Sequence, residues 1–244
     1  MTGSLTIAGL GPGSEALVTP EVSAALAEAT DVFGYSPYVA RVKPREGLTL
    51  HPSDNRQETQ RAIEAMRLAA EGGRVVIVSS GDPGVFAMAS AVFEALEGAP
   101  QWHSLPIRVL PGVTAMLAAA ARAGAPLGHD FCAINLSDNL KPWETIEKRL
   151  GLAAEADFAI ALYNPRSVSR SDDLARAFEI LIQAGCGARI VIFAHAVTTA
   201  EERIMSLPLC EAKADMADMR TLVIVGNSQT RRVGRWIYAP RRAS

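Results

Sequence analysis

Short apolar runs alternate along the chain with longer segments in which apolar residues recur at helical spacing. The run 74–78 consists mainly of consecutive β-branched residues, which is typical of a strand buried on both faces. The segment 58–71 predicts a helix that the two following glycines end. Its apolar face would hold Ile63, Met66 and Ala70. Because strands and helices alternate, the pattern favours an α/β fold.

The same two patterns predict the remaining elements. Thr19 and Pro20 are typical of the cap and first turn of a helix, which we expect to run to residue 29. The other predicted strands are 5–10, 31–34, 107–110, 131–136, 158–163, 190–194 and 222–225. The other predicted helices are 85–97, 113–122, 143–150 and 172–184.

Small residues and a proline fill the segment 123–128, and this composition is typical of a linker. We therefore predict an N-terminal α/β lobe over 1–122 and a C-terminal α/β lobe over 123–244. Turn residues follow strands in both halves, at 9–13, 80–84, 111–115, 163–165 and 226–228. In open α/β sheets a ligand binds outside the carboxyl ends of strands, so the set predicts a cleft between the lobes.

Single motifs in this set leave several interpretations open. The first glycine loop has Ser14 where a dinucleotide fold needs glycine, and Pro12 lacks the N–H that a pyrophosphate would use. A tight turn, or a stiff loop on which a ligand packs, explains it as well. Asp82 suits either hydrogen bonds to a ligand or the cap of the next helix.

Composition narrows the class of protein. With 24 basic and 26 acidic residues the net charge is −2, which argues against a nucleic-acid or membrane-surface partner. Cys132, Cys186 and Cys210 form no CxxC pair, which fits a reducing compartment. No apolar run approaches the length of a membrane span, and the first ten residues lack the charge of a signal peptide. We expect a cytoplasmic enzyme.

The strand-end motifs, in this order, resemble those of the class III S-adenosylmethionine-dependent tetrapyrrole methyltransferases: a GxGPG loop, a GDP loop, a PGVTA turn and a YNP strand end. The segments 32–35, 125–131, 136–143, 162–167 and 225–230 resemble the branch that acts on cobalamin precursors. The resemblance implies two α/β lobes with a cofactor cleft between them and a homodimer. It implies methylation of precorrin-3B at C17, with ring contraction to precorrin-4. The chain lacks a cysteine-rich extension that some members carry, so no metal site is expected.

Other functions remain open at this point. A methyltransferase of the same fold acting on another corrin intermediate would share the cofactor site. A nicotinamide-dependent oxidoreductase or a non-catalytic binding protein would use the glycine turns differently.

The resemblance also implies which residues contact S-adenosylmethionine and its product S-adenosylhomocysteine. They are Pro12, Gly81, Asp82, Val85, Phe86, Thr114, Ala115, Tyr163 and Asn164. Phe86 suits the core equally well, and Tyr163 suits a lid over the cleft. Backbone carbonyls and small turns are the expected lining, because a carboxylate on the sulfonium would hold the ground state more tightly than the transition state.

Ring contraction requires proton transfer, and His129 has the residue type for a general acid or base, with an ordinary pKa of about 6.5. Asp130 and Asp138 are alternatives. A hydrogen bond within the linker explains His129 equally well, and a helix start explains Asp138.

The implied substrate is a polycarboxylate tetrapyrrole, which calls for local cations and a flat aromatic surface. Candidates are Tyr35, Arg41, Lys141 and Arg166, although surface solvation explains the cations as well. The tail after residue 228 has five arginines and no acid, which we interpret as a solvated, frayed end.

Overall fold

The chain divides into two compact units, Met1–Thr114 (unit 1) and Ala115–Ser244 (unit 2), and the computed structural model describes residues 3–167 and 172–242. The predicted α/β class is confirmed in both units. The predicted boundary falls at the end of the helix Ala115–Ala123, whereas the units divide at its start, because this helix packs against strands of unit 2. Within the described ranges, no helix is long and apolar enough to cross a membrane.

Unit 1 is built on a parallel sheet. Its strands are Ser4–Gly9 (β1), Asp31–Tyr35 (β2), Thr49–Ser53 (β3), Arg74–Ser79 (β4) and Ile107–Leu110 (β5). Its helices are Pro20–Glu28 (α1), Ser36–Val39 (α2), Glu58–Ala70 (α3) and Met88–Glu97 (α4). The strands lie in the order β3-β2-β4-β1-β5 and all pair in parallel, so their carboxyl ends share one edge.

Local signals explain most of these elements. The Thr19 hydroxyl caps α1 as predicted, accepting a hydrogen bond from the backbone N–H of Val22 at 3.2 Å. The predicted apolar face of α3 is confirmed at Met66, which is buried, and wrong at Ile63 and Ala70, which are exposed. The buried apolar face of α3 consists of Ala62, Ala65, Met66 and Ala69.

Unit 2 has a mixed sheet and a small additional sheet. Its strands are Gly124–Ala125 (β6), Phe131–Asn135 (β7), Ala159–Tyr163 (β8), Ile190–His195 (β9), Arg203–Pro208 (β10), Thr221–Val225 (β11), Arg231–Val233 (β12) and Trp236–Tyr238 (β13). Its helices are Ala115–Ala123 (α5), Trp143–Glu155 (α6) and Asp173–Leu181 (α7), which a π-helical turn, Ile182–Cys186, extends. Short 3-10 turns occur in unit 2 at Leu209–Glu211 and Ala214–Met216, and in unit 1 at Glu15–Leu17 and Pro100–Trp102.

The main sheet of unit 2 has the order β10-β9-β11-β8-β7. β7 and β8 are parallel, whereas β11 is antiparallel to both β8 and β9. The carboxyl end of β11 therefore lies at the edge opposite to the carboxyl ends of β7 and β8. An apolar core that includes Ile146, Leu150, Leu174 and Phe178 covers one face of this sheet.

The small sheet corrects two interpretations of the sequence. The segment assigned to a linker contains β6, which pairs in parallel with β13. A Cβ on Gly124 would meet the Ile237 carbonyl oxygen at 2.5 Å, so the close pairing requires glycine there. The arginine-rich tail is not frayed over its described residues, because β12 and β13 form a hairpin.

Candidate functional site

Two glycine-rich loops of unit 1 contact each other directly at the carboxyl edge of the sheet. The N–H of Gly11 donates to the Gly81 carbonyl at 3.1 Å, and the N–H of Gly81 donates to the Gly11 carbonyl at 3.0 Å. A Cβ on Gly9 would meet the Gly81 carbonyl oxygen at 2.5 Å. The loops after β1 and β4 therefore form one continuous backbone surface that side chains at these positions would force apart.

Asp82 ties a third loop to this surface. Its Oδ1 accepts from the N–H of Gly84 at 2.8 Å, and its Oδ2 accepts from the N–H of Gly112 at 3.1 Å. Residue Ala87, not Asp82, occupies the cap position of α4, so the interpretation of Asp82 as that helix's cap is wrong. The carboxylate instead holds the loops after β4 and β5 together.

Arg41 lies beyond α2 and holds the loop after β1. Its Nη1 donates to the carbonyl of Gly11 at 3.0 Å, and its Nη2 donates to those of Leu10 at 2.5 Å and Gly13 at 3.1 Å. We predicted this guanidinium as a substrate contact, but in the structure it is engaged by the backbone of its own unit.

The remaining candidates of unit 1 also lie on these loops. Pro12 and Val85 are half-buried, Thr114 is buried and Phe86 is 48% exposed. Phe86 does not belong to the core, and its positive φ of 52° is incompatible with a helix, so α4 begins at Met88 and not at the predicted residue 85. The loops thus combine backbone groups with accessible apolar side chains.

An aromatic pair and a buried cation lie near the same edge of unit 1. Tyr35, the last residue of β2, packs edge-to-face on Tyr38 with ring centroids 5.3 Å apart. Burial raises the pKa of Tyr38, as does Tyr35, while the nearby arginines oppose the shift. Arg61 is only 4% exposed and donates to Ser53 Oγ at 2.8 Å and the Asp54 carbonyl at 2.9 Å. Sequence reasoning missed Arg61, because an arginine in a polar helix is usually solvated.

In unit 2, Asn135 organises the carboxyl edge of β7 and β8. Its Oδ1 accepts from the N–H of Ser137 at 2.9 Å and from Nδ2 of Asn164 at 3.0 Å. Asn164 has a positive φ of 50°, a conformation that this hydrogen bond helps to hold. Sequence reasoning missed Asn135; its position at a strand end, opposite Tyr163 in the register, was the available signal.

Tyr163 connects this edge to the start of α5. Its hydroxyl oxygen accepts from the N–H of Met116 at 3.2 Å, and Ala115 is the residue before it. Helix starts leave N–H groups without intrahelical partners, and the tyrosine satisfies one of them. The structure therefore brings Ala115, Tyr163 and Asn164 together at one edge of unit 2.

Asp138 and two predicted substrate cations follow the same strand ends. Asp138 is exposed and follows β7, while the cap of α6 is Pro142, so Asp138 does not start that helix. Lys141 Nζ donates to the Ser137 carbonyl at 3.0 Å. Arg166 is half-buried after β8 and makes no side-chain hydrogen bond or ion pair with any other described residue.

His129 and Asp130 lie at the other end of β7. His129 Nδ1 is 3.5 Å from Asp130 Oδ2, and the Asp130 carbonyl accepts from the N–H of Ala159 at the start of β8. Since β7 and β8 are parallel, the length of a five-residue strand, about 16 Å, separates this pair from Tyr163. The structure does not bring His129 and Asp130 together with the other candidates of unit 2.

The turn after β11 also lies at that opposite edge. The N–H of Ser228 donates to Asp157 Oδ1 at 2.8 Å, and the Ser228 hydroxyl donates to Asp157 Oδ2 at 2.6 Å. Asp157 lies just before the start of β8 at Ala159, which agrees with the reversed direction of β11. The grouping of residues 226–228 with the other strand-end motifs is therefore wrong.

Among residues 3–167 and 172–242, no group of three or more His, Cys, Asp or Glu side chains has a metal-binding arrangement. Two open surface depressions lie elsewhere, beside α4 and between β7 and α6, and neither is lined by a predicted site residue.

Comparison with known proteins identifies relatives of the whole chain. The family model of tetrapyrrole (corrin/porphyrin) methylases matches residues 4–213. The precorrin-3B C(17)-methyltransferase of Sinorhizobium sp is 53% identical, over 99% of this chain and 97% of its own.

Solved structures agree with this result. A crystal structure of the methyltransferase CobJ is 66% identical, with a TM-score of 0.96 over 98% of this chain and 100% of its own. A uroporphyrin-III C-methyltransferase from Thermus thermophilus, complexed with S-adenosylhomocysteine, is 22% identical with a TM-score of 0.68. It covers 92% of this chain and 97% of its own, and it shows the shared fold alone.

Proposed function

Because the chain belongs to the family of tetrapyrrole (corrin/porphyrin) methylases, we propose that it transfers a methyl group from S-adenosylmethionine to C17 of precorrin-3B. Contraction of the macrocycle to precorrin-4 follows in the same proposal, as a step of cobalamin biosynthesis. The observation that carries it is the full-length similarity to the Sinorhizobium enzyme. The proposed reaction also releases S-adenosylhomocysteine and a proton.

The loops of unit 1 have the chemistry that this cofactor requires. S-adenosylmethionine supplies the methyl group as a sulfonium cation, which becomes neutral when the methyl leaves. A carboxylate on the sulfur would stabilise the ground state more than the transition state. Both oxygens of Asp82 already accept backbone hydrogen bonds, so the loops offer mainly backbone groups and apolar side chains. We assign Pro12, Gly81, Val85, Phe86 and Thr114 as cofactor contacts.

In unit 2 we assign cofactor contacts to Ala115, Tyr163 and Asn164. The Met116 N–H donates a hydrogen bond to the Tyr163 hydroxyl, and the Asn164 amide donates one to Asn135. These bonds hold both side chains in place. Fixed groups of this kind favour methyl transfer by orienting the reactants, since proximity in well-oriented systems reaches effective molarities of about 10⁵–10⁸ M.

For proton transfer we propose Asp138 ahead of His129 and Asp130. Asp138 is exposed and follows the same end of β7 as Asn135, whereas the other two residues precede that strand. We assign Lys141 and Arg166 as contacts for the carboxylates of the substrate, and Tyr35 as a contact for the flat face of its macrocycle. Arg166 is the strongest of the cations, because its guanidinium has no side-chain partner within the described residues.

The test is incubation of the protein with precorrin-3B and S-adenosylmethionine labelled in its methyl group. One labelled methyl at C17 and an acetyl group at C1 of the product are expected. A protein that binds S-adenosylhomocysteine but transfers no label to precorrin-3B would overturn the substrate assignment. Transfer to another corrin intermediate would replace precorrin-3B and leave the methylase assignment intact.

We also propose that the chain forms a homodimer, as the resemblance to the family implied. Sedimentation velocity at micromolar concentration is expected to give twice the chain mass of 25.9 kDa. A single species at the monomer mass over the same range would overturn this proposal.

A further inference from the structure

The arginine that holds the first glycine loop binds the carbonyl groups of its backbone. Arg41 donates hydrogen bonds to the carbonyls of Leu10, Gly11 and Gly13. In a planar trans peptide the N–H points away from the carbonyl. The Gly11 N–H accordingly points to the Gly81 carbonyl, and Pro12 has no N–H. The carbonyls of Leu10, Gly11 and Gly13 and the N–H of Gly11 are therefore engaged within unit 1.

Burying the charged Arg41 guanidinium at this contact costs free energy. Burial lowers the pKa of the Arg41 guanidinium, while the nearby Tyr38 and Glu15 oppose the shift. A partly buried cation is stable only when acceptors replace its water, and here backbone carbonyls do so. A lysine has one point charge and cannot match the fork that reaches three carbonyls.

We propose that Arg41 is a positioning residue for the cofactor and not a substrate contact. It holds the loop after β1 in the conformation that receives S-adenosylmethionine. The Gly11–Gly81 hydrogen bonds and Asp82 then fix the loops after β4 and β5 relative to it. This inference rests on the proposed function, because it concerns the same cofactor.

Arg45 provides a matched control on the same segment. Its Nη2 donates to the carbonyls of Leu26 at 3.1 Å and Ala29 at 2.5 Å. Ala29 precedes the first residue of β2, so Arg45 holds backbone at the amino edge of the sheet. The two arginines make the same kind of contact at opposite edges, and only one contact involves a candidate cofactor loop.

The experiment compares Arg41→Met, Arg41→Lys and Arg45→Met by calorimetry with S-adenosylhomocysteine. Loss of hydrogen bonds from a charged group predicts a Kd about tenfold higher or more in Arg41→Met, with partial rescue in Arg41→Lys. Arg45→Met should bind within about twofold of the parent protein, since it leaves the loops unchanged. In turnover, KM for S-adenosylmethionine should rise in Arg41→Met while KM for precorrin-3B stays constant. The reverse pattern, an unchanged Kd with a raised KM for precorrin-3B, would overturn the inference.

Hydrogen exchange tests the inference without cofactor. The amides of Gly11 and Gly81 should exchange faster in Arg41→Met than in Arg45→Met, because only the first variant releases the loop. Equal exchange rates at these two amides in both variants would contradict the positioning role of Arg41. If the parent protein failed to bind S-adenosylhomocysteine, the proposed function would fail, and the exchange result would still decide whether Arg41 orders the loop.

Discussion

The two main sheets differ in strand direction, and this difference decides where their strand-end residues gather. In unit 1 every pairing is parallel, so the turns after β1, β4 and β5 meet at one edge and bond to one another. In unit 2 the antiparallel β11 carries a similar turn to the opposite edge, where Ser228 binds Asp157. A strand-end motif therefore indicates a shared site only when the strands run in the same direction.

The largest effect is expected where the parallel loops are closest. A Cβ on Gly112 would meet the Gly81 carbonyl oxygen at 2.2 Å, so Gly112→Ala should abolish S-adenosylhomocysteine binding. It should also lower the free energy of unfolding by about 3 kcal/mol, as overpacking does. The control is Gly151→Ala in α6, where a Cβ meets nothing within 4 Å, and which should stabilise unit 2 by about 0.5–1 kcal/mol. Urea unfolding and calorimetry measure both; normal cofactor binding by Gly112→Ala would contradict the account of the loops.

The two ends of β7 can be compared by their effect on turnover. Asp138→Asn should lower kcat about a hundredfold, the ordinary contribution of a general acid or base, with an unchanged Kd for S-adenosylhomocysteine. His129→Ala should leave kcat within about threefold, because its side chain lies at the other end of the strand. Single-turnover rates with precorrin-3B decide between them. A hundredfold loss in the histidine variant would return proton transfer to the amino edge of β7.

A smaller effect is expected from the carboxylates that tie turns together in each unit. Asp82→Ala releases the N–H groups of Gly84 and Gly112, and the Kd for S-adenosylhomocysteine should rise about tenfold. Asp157→Ala breaks two comparable hydrogen bonds with Ser228 and should lower stability without changing that Kd. Equal losses of affinity in the two variants, measured by calorimetry, would contradict the placement of the cofactor site at the edge that holds Asp82.

The smallest effect concerns a carboxylate beside the antiparallel pair of β9 and β11. The end of β9 lies opposite the start of β11, and Asp218 accepts hydrogen bonds there from the Thr221 hydroxyl at 2.7 Å and the Arg220 N–H at 2.9 Å. Partial burial opposes ionisation, but these bonds and the neighbouring His195 outweigh it and hold the pKa of Asp218 below its usual 3.8.

A lowered pKa in the folded state means that the contribution to stability is present above pH 3.8 and disappears as the pH falls below it. Asp218→Asn should therefore cost less than about 1 kcal/mol at pH 7, and the difference from the parent protein should shrink towards pH 3. Urea unfolding at a series of pH values measures it. A difference that stays constant with pH would contradict the assignment.

Much of the fold followed from local patterns in the sequence. Thr19 and Pro20 predicted the start of α1, and the β-branched run predicted β4. β3 and β10 were missed, because edge strands such as Thr49–Ser53 contain polar residues and a proline and lack a continuous apolar run. β6 was read as a linker, since two residues with a glycine give no strand signal without their partner β13.

The candidate site was predictable in kind and less so in detail. The glycine loops and Asp82 were found from their positions after strands. Asn135 was not, because its contact is with Asn164, which is distant in sequence. Arg61 was missed because its contacts are at the end of β3, a strand that the sequence did not reveal. Arg41 was selected from the sequence as a substrate contact, but its observed contacts are with the backbone of its own unit. A cation beside tyrosines suggested a substrate carboxylate, whereas the chain folds its guanidinium back onto carbonyls about thirty positions away.

The sequence by itself determined the α/β class, most helices and strands, and the family through the order of its strand-end motifs. These features depend on local periodicity, on turn chemistry and on residue identity, which a linear chain carries in full. Only the tertiary structure decided which strand ends meet. Strand direction in a sheet is a property of pairing between distant segments, so the same kind of turn belongs to the candidate site after β8 and to the opposite edge after β11.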